Sequence, residues 1–241
     1  MIRLLLKKFK KVLTLLLIGV MLSSFGYNEC YGDTYGKDDL VVAIDYGHYK
    51  GEPGKRSPYD PVFDYIKAEI EYNAGVGRLV EKKLKEKAPH VKVYLTNPNC
   101  DNKDRSKRAV EAKKHNADLI YSFHMNAVGN KSKWQDRVNG TCVVISKNAP
   151  IGVKRMSQEF IDNYSSGTGI KKVADNGILE VGKEVGLVDK GNELGVPTIL
   201  LEMDFMDNYQ SYRNFSDPTY IDMVAEVITD CIINNVDSLN N

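Results

Sequence analysis

Val41-Val42-Ala43-Ile44-Asp45-Tyr46-Gly47-His48 is an apolar, β-branched run that ends at a histidine. Short runs of this composition read as buried strands. Two more follow the same plan: Leu119-Ile120-Tyr121-Ser122-Phe123 delivers His124, and Thr198-Ile199-Leu200-Leu201 delivers Glu202. Helical patterns alternate with them. Ile66–Lys87 keeps Ile70, Ala74, Gly77, Val80 and Leu84 on one stripe. Further strand signals lie at Val91–Thr96 and Gly140–Ser146, and further helical ones near Lys103–His115, Pro150–Tyr164 and Pro218–Val236. Val173–Val188 is punctuated by glycine and fits neither pattern. The alternation predicts an α/β fold: a single domain with a mostly parallel twisted sheet of about six strands and helices on both faces. In such an open sheet the ligand crevice borders the C-terminal strand ends. Two imidazoles and a carboxylate placed there are the donor types a catalytic zinc needs.

The 241 residues suit one domain of ordinary size plus appendages. The N-terminus differs in kind. Met1–Lys11 carries Arg3, Lys7, Lys8, Lys10 and Lys11 without an acid, Val12–Leu22 is uncharged and apolar, and Ser23-Ser24-Phe25-Gly26 offers small residues. That order is the order of a secretory signal. The apolar run is shorter than the roughly 20 residues of a membrane span. Tyr27-Asn28-Glu29 before Cys30 is the wrong chemistry for lipidation. The expected organisation is a signal peptide at 1–26, a short polar tether at 27–38 and a catalytic domain at 39–241, in a protein secreted to the cell envelope. Without residues 1–26, 28 Lys+Arg face 32 Asp+Glu, and this mild acidity argues against nucleic acid as a partner. Export permits disulfides among Cys30, Cys100, Cys142 and Cys231. Cys142 and Cys231, however, sit on apolar stripes and read as small core residues.

His48 and His124 are the evident imidazole ligands. A third ligand is expected to be a carboxylate on a nearby element, and Glu69 and Glu71 both open the helix that follows the first strand. Chain order does not choose between them.

Four motifs in sequence order carry a resemblance: Asp45-Tyr46-Gly47-His48, Glu69-Ile70-Glu71-Tyr72-Asn73, Ser122-Phe123-His124-Met125-Asn126 and Leu200-Leu201-Glu202. Together, spanning about Leu40 to Ile233, the chain resembles the zinc-dependent N-acetylmuramoyl-L-alanine amidases of the amidase-3 type. Arg108 and Ala112 also fit that family's helix before the second histidine strand. The resemblance implies one zinc ion held by His48, Glu69 and His124, with Glu69 preferred because it stands four before Asn73. It implies Glu202 as the catalytic carboxylate, passing a proton from water to the leaving amine. It further implies a peptidoglycan substrate and wall remodelling, cell separation or lysis as the setting. Asp45 is expected to orient His48, and Ser122 and Asn126 to position the loop of His124 or meet substrate.

Two departures stand out. The loop after His48 reads Tyr49-Lys50-Gly51-Glu52-Pro53-Gly54-Lys55-Arg56 where the family is usually Gly-rich, and Asp204 precedes Phe205 where the family often has glycine. Both touch substrate preference rather than the ligands. Some members of the family are held inactive by a helix over the metal. Ala127–Asn139 is short for such a plug, so an accessible site is expected, with any protein activator unspecified. His90 and His115 read as structural, and Lys82, Lys83, Lys85, Lys87, Lys113 and Lys114 as solvated helix faces. Lys55-Arg56 reads as an anion contact or an ordinary loop. Trp134, Tyr46 and Tyr49 read as pocket-lining or packing residues.

Overall fold

The first strand, β1 (Leu40–Tyr46), is buried from Val41 onward, as a run apolar on both faces must be. In the computed structural model, which describes residues 39–129 and 132–238, β1 is one strand in from the edge of a six-stranded sheet. The other strands are β2 (Val91–Leu95), β3 (Leu119–Asn126), β4 (Cys142–Ser146), β5 (Ile178–Val181) and β6 (Thr198–Phe205). Their order is β2-β1-β3-β6-β4-β5. The β1–β2, β1–β3, β3–β6 and β4–β5 pairs are parallel, and β4 alone meets its neighbour β6 in the antiparallel sense. The mostly parallel α/β sheet read from the sequence is thus present. The expected signal peptide and tether lie outside the described residues.

Six helices connect the strands among the described residues: α1 (Glu69–Lys87), α2 (Arg105–Lys114), α3 (Ile151–Thr168), α4 (Gly186–Glu193), α5 (Tyr209–Asn214) and α6 (Pro218–Asp237). Their ends follow local chemistry. Asp104 accepts the Lys107 N–H at 3.0 Å to cap α2, and Asp217 accepts the Thr219 N–H at 2.8 Å beside Pro218 to open α6. Gly169, at φ 72°, ends α3.

α2 and α4 cover one face, where Ala109, Ala112 and Leu187 pack with Val41, Ala43 and Ile120. α1, α3 and α6 cover the other: the Tyr121 ring stacks on Phe160 of α3 at 5.3 Å and its hydroxyl accepts from Asn235 of α6 at 2.9 Å. Cys142 and Cys231 are buried and free, as is Cys100. His115 stacks on Tyr94, with ring centroids 4.1 Å apart. Asp60–Tyr65 forms a turn closed by the Asp60 and Tyr65 backbones and by the Val62 N–H on Asp60 Oδ1. No helix among the described residues is long and apolar enough to cross a membrane.

Several boundaries differ from the reading of the sequence. α1 begins at Glu69, three residues late, because Arg56 bridges Ala68 in extended geometry. β3 and β6 run on to Asn126 and Phe205. The unassigned stretch holds β5 and the start of α4, and α5 was not foreseen.

Gly77 lets α1 approach β1: a Cβ there would lie 2.3 Å from Tyr46 Cε1. The Tyr46 ring is itself fully buried and has nowhere to move. Gly77→Ala is therefore expected to cost about 1–3 kcal/mol through overpacking, despite alanine's helix-propensity gain of about 1 kcal/mol. Urea denaturation measures it, and unchanged stability would show that α1 can shift freely.

Candidate metal centre

β1 and β3 are neighbours from which the chain departs in opposite directions along the strand order, to β2 and to β4, the switch point at which open α/β sheets place their ligands. His48 lies two residues beyond β1 and His124 is near the end of β3. Gly47 permits their approach, since a Cβ on it would stand 2.3–2.5 Å from three atoms of the His124 ring. The imidazoles meet edge to face, centroids 4.8 Å apart.

Glu69 is the first residue of α1 and turns into the same space. Its Oε1 lies 3.2 Å from His48 Nε2 and 3.2 Å from His124 Nδ1. The competing carboxylate goes elsewhere: Glu71 Oε2 accepts the Ala68 N–H at 2.6 Å, closing the helix start. A register shift in the β3–β6 ladder between His124 and Asn126 accompanies a Met125 N–H donation to Glu69 Oε1 at 3.2 Å. Glu202 is opposite His124 in the same ladder, not at the strand end. Both side chains line one cavity of about 300 Å³.

The donor set fits a metal. Nitrogen and oxygen donors around one tetrahedral zinc, at bonds of about 2.0–2.1 Å, stand about 3.3 Å apart. The two separations from Glu69 Oε1, 3.2 Å each, match that spacing, and the ligand atoms of the three residues all lie within 4.8 Å of one another. Glu69 Oε2 and Glu202 Oε2 are buried without a hydrogen-bond partner, a costly state for carboxylate oxygens unless something else meets them. His48, Glu69 and His124 form a cluster able to hold one ion.

The carboxylates are tuned in opposite directions. Burial pushes Glu69 up, but its contacts with His124 and His48 outweigh this and hold it below the usual carboxylate range. Burial pushes Glu202 up to about 7, aided by the negative charge of Glu69 and opposed by His124 and Lys55.

The turn carrying His48 is held from outside. His48 has φ 70°, a left-handed conformation that is strained for a residue with a Cβ. Arg108 of α2 donates to the Tyr46 and His48 carbonyls, each at 2.9 Å, and Asn73 of α1 donates to the intervening Gly47 carbonyl at 3.0 Å. Asp45 makes its hydrogen bonds to groups other than the His48 ring, contrary to expectation. As the mid-strand partner of Ser122 it accepts the Ser122 hydroxyl at 2.7 Å, the Thr96 hydroxyl and Arg108 Nη1 at 3.3 Å. The carboxylate beside His48 is Glu52, with Oε2 3.0 Å from Nδ1, and its other oxygen meets Arg105 at 2.8 Å. Sequence reading missed Glu52, although it stands four residues after His48. Asn126 lines the cavity, while Ser122 serves Asp45. Trp134 packs against Tyr209 and Tyr212, centroids 5.0 Å from each.

An α/β domain with a His-Glu-His cluster and a buried carboxylate at its switch point is a candidate metalloenzyme. Residues 42–234 match the profile of the amidase-3 family, N-acetylmuramoyl-L-alanine amidase, and the chain belongs to that family. Solved structures agree in fold. An N-acetylmuramoyl-L-alanine amidase from Clostridium difficile 630 superposes with a TM-score of 0.69 at 23% identity, over 83% of this chain and 97% of that one. The catalytic domain of CwlV, an amidase from Bacillus (Paenibacillus) polymyxa var. colistinus, gives 0.66 at 23%, over 82% and 98%. The CwlD amidase from Clostridioides difficile, solved in complex with the GerS lipoprotein, gives 0.62 at 17%, over 83% and 99%. No curated protein sequence gives a significant match.

Replacing Arg108 by methionine would leave Asp45 buried and uncompensated, a loss of about 3–5 kcal/mol. Urea denaturation checks this, and a loss below about 1 kcal/mol would mean that Asp45 is neutralised in another way.

Proposed function

We propose that the chain is an exported zinc-dependent N-acetylmuramoyl-L-alanine amidase, cleaving the amide between N-acetylmuramic acid and the L-alanine of peptidoglycan. The observation that carries the reading is the convergence of His48, Glu69 and His124 on one point, with Glu202 facing His124 in the same cavity. Family membership supports the substrate class.

His48, Glu69 and His124 would hold the ion. Bound zinc supplies Lewis acidity, acidifying a water and polarising the scissile carbonyl. Glu202 then acts as the proton carrier. Its buried Oε2 takes a proton from the attacking water and returns it to the leaving alanine nitrogen. A carboxyl pushed up to about 7 suits both halves of that exchange near neutral pH. Glu69, held ionised by its imidazole neighbours, suits the ligand role. Arg108 and Asn73 keep the His48 turn fixed so that the donors need not be gathered anew at each encounter.

Export rests on the basic-then-apolar order of residues 1–26, and wall remodelling, cell separation or lysis follows from that placement. Among the described residues of the stretch 127–139 there is no helix to cover the cavity, which supports an accessible site.

Glu202→Gln is expected to lower turnover of defined muropeptides by about 10²–10⁴-fold while leaving zinc content unchanged. Mass spectrometry of products and metal analysis read both, and undiminished turnover would remove Glu202 from the mechanism. His124→Ala should lose stoichiometric zinc, and a chelator should abolish wild-type release of stem peptide bearing a free L-alanine amine. Full zinc in His124→Ala would overturn the ligand set.

A further inference from the structure

The cavity at the His48–Glu69–His124 cluster has a mixed lining. Val144, Val181, Val185, Leu187 and Leu200 form an apolar wall. Charged groups line it too, and most of these are already engaged. Glu184 accepts the Gly182 N–H at 2.9 Å. Arg108 is consumed by Asp45 and three backbone carbonyls. Arg105 is paired with Glu52 at 2.8 Å. Lys55 differs. It is half-buried and lines the cavity, yet no ion pair or hydrogen bond engages its ammonium among the described residues.

Its placement is firm. The Lys55 N–H donates to the Glu52 carbonyl at 3.3 Å, and its own carbonyl accepts the Glu69 N–H at 2.9 Å. The next residue, Arg56, bridges Ala68. The backbone that carries this cation is thus tied directly to the residue that opens α1 at the metal cluster. A lysine on a fixed backbone, unpaired at the rim of a cavity, is a point charge available to a ligand. It also belongs to the loop in which this chain departs from its family.

We propose that Lys55 is a specificity-determining residue that pairs with a carboxylate of the stem peptide close to the scissile amide. The cavity favours peptides whose second residue keeps a free carboxylate over those in which it is amidated. The proposal rests on the amidase reading. The apolar wall would take the alanine methyl and adjoining carbons, and Lys55 the anionic group beyond them. A charge-assisted bond in a partly desolvated cleft corresponds to about a tenfold preference.

The test uses the zinc-loaded full chain and two substrates in which the γ-carboxyl is capped by the next residue, N-acetylmuramyl-L-alanyl-γ-D-glutamyl-L-lysine and N-acetylmuramyl-L-alanyl-D-isoglutaminyl-L-lysine. The quantity read is the ratio of kcat/KM for the acid over the amide. Wild type should give a ratio of about ten, K55R should keep most of it, K55A should bring it near one, and K55E should invert it. Calorimetric binding of the two released tripeptides should follow the same order without requiring turnover. If both substrates are cleaved and the ratio is unmoved by K55A, the Lys55 proposal is overturned and the amidase reading stands. Equal losses on both substrates would also overturn it, assigning Lys55 to the charge balance of Glu202. If wild type cleaves neither at the muramoyl–alanine bond, the amidase reading falls and this proposal falls with it.

Discussion

The guanidinium of Arg108 is fully buried, and the turn that presents His48 depends on it. A charge so placed must be met on every side. Arg108 meets the Asp45 carboxylate and the carbonyls of Lys103, Tyr46 and His48. The same contacts fix the exit of β1 at the angle that sends His48 toward His124. Without them, a histidine in the left-handed region would relax, since that conformation costs about 1–3 kcal/mol and persists only where its surroundings impose it. Asp45 and Arg108 have no part in the proton transfer proposed for the site, yet they decide where its first donor stands.

A second constraint divides the carboxylates. Glu69 and Glu202 share one cavity, so ionising both would place two negative charges in a poorly hydrated space. Contact with two imidazoles settles the issue for Glu69, which stays ionised. Glu202 has no such contact on Oε2 and is pushed up to about 7. Environments that drive two carboxyls apart separate a ligand from a proton carrier. The antiparallel entry of β4 supports this division. Because β4 runs against β6, its first residue, Cys142, pairs with Glu202, and Thr141 donates to the Glu202 carbonyl at 2.8 Å. The glutamate is therefore set inside the sheet rather than at a fraying strand end.

Much of this was legible in the chain. Apolar runs delivering His48, His124 and Glu202 carried the sheet, its mostly parallel sense and the meeting of those residues, because burial of a strand and the location of the crevice are encoded by local pattern. Other features depend on long-range geometry that no local pattern records. The sequence could not show that Asp45 would serve Arg108 and Ser122 instead of His48, since that choice is made by the registration of β1 against β3. Nor could it show that Glu52 would reach back to His48, because the path of a Gly- and Pro-containing loop is not periodic. Glu71 as a cap and Glu69 as a cluster member differ only in where α1 begins. That point is set by the Arg56–Ala68 bridge, not by the helical stripe.

The two departures from the family pattern have opposite consequences. Asp204 stands where the pattern read from the resemblance often has glycine, yet both its oxygens are spent on structure. Oδ1 accepts the Gly140 and Phe205 N–H groups at 2.9 and 2.8 Å, and Oδ2 accepts the Ser211 hydroxyl at 2.7 Å. It ties the end of β6 to the β3–β4 connection and to α5, and it does not line the cavity of His48, Glu69 and His124. The loop after His48 does. Glu52 and Lys55 both enter that cavity's surroundings, one against a histidine and one unpaired. A substitution whose hydrogen-bonding capacity is exhausted internally can change stability without changing what the protein selects. One that leaves a charge unmet beside the reacting centre changes the field that a substrate enters. On that criterion, divergence in substrate preference within this fold is expected to concentrate in the β1–α1 loop rather than at the end of β6.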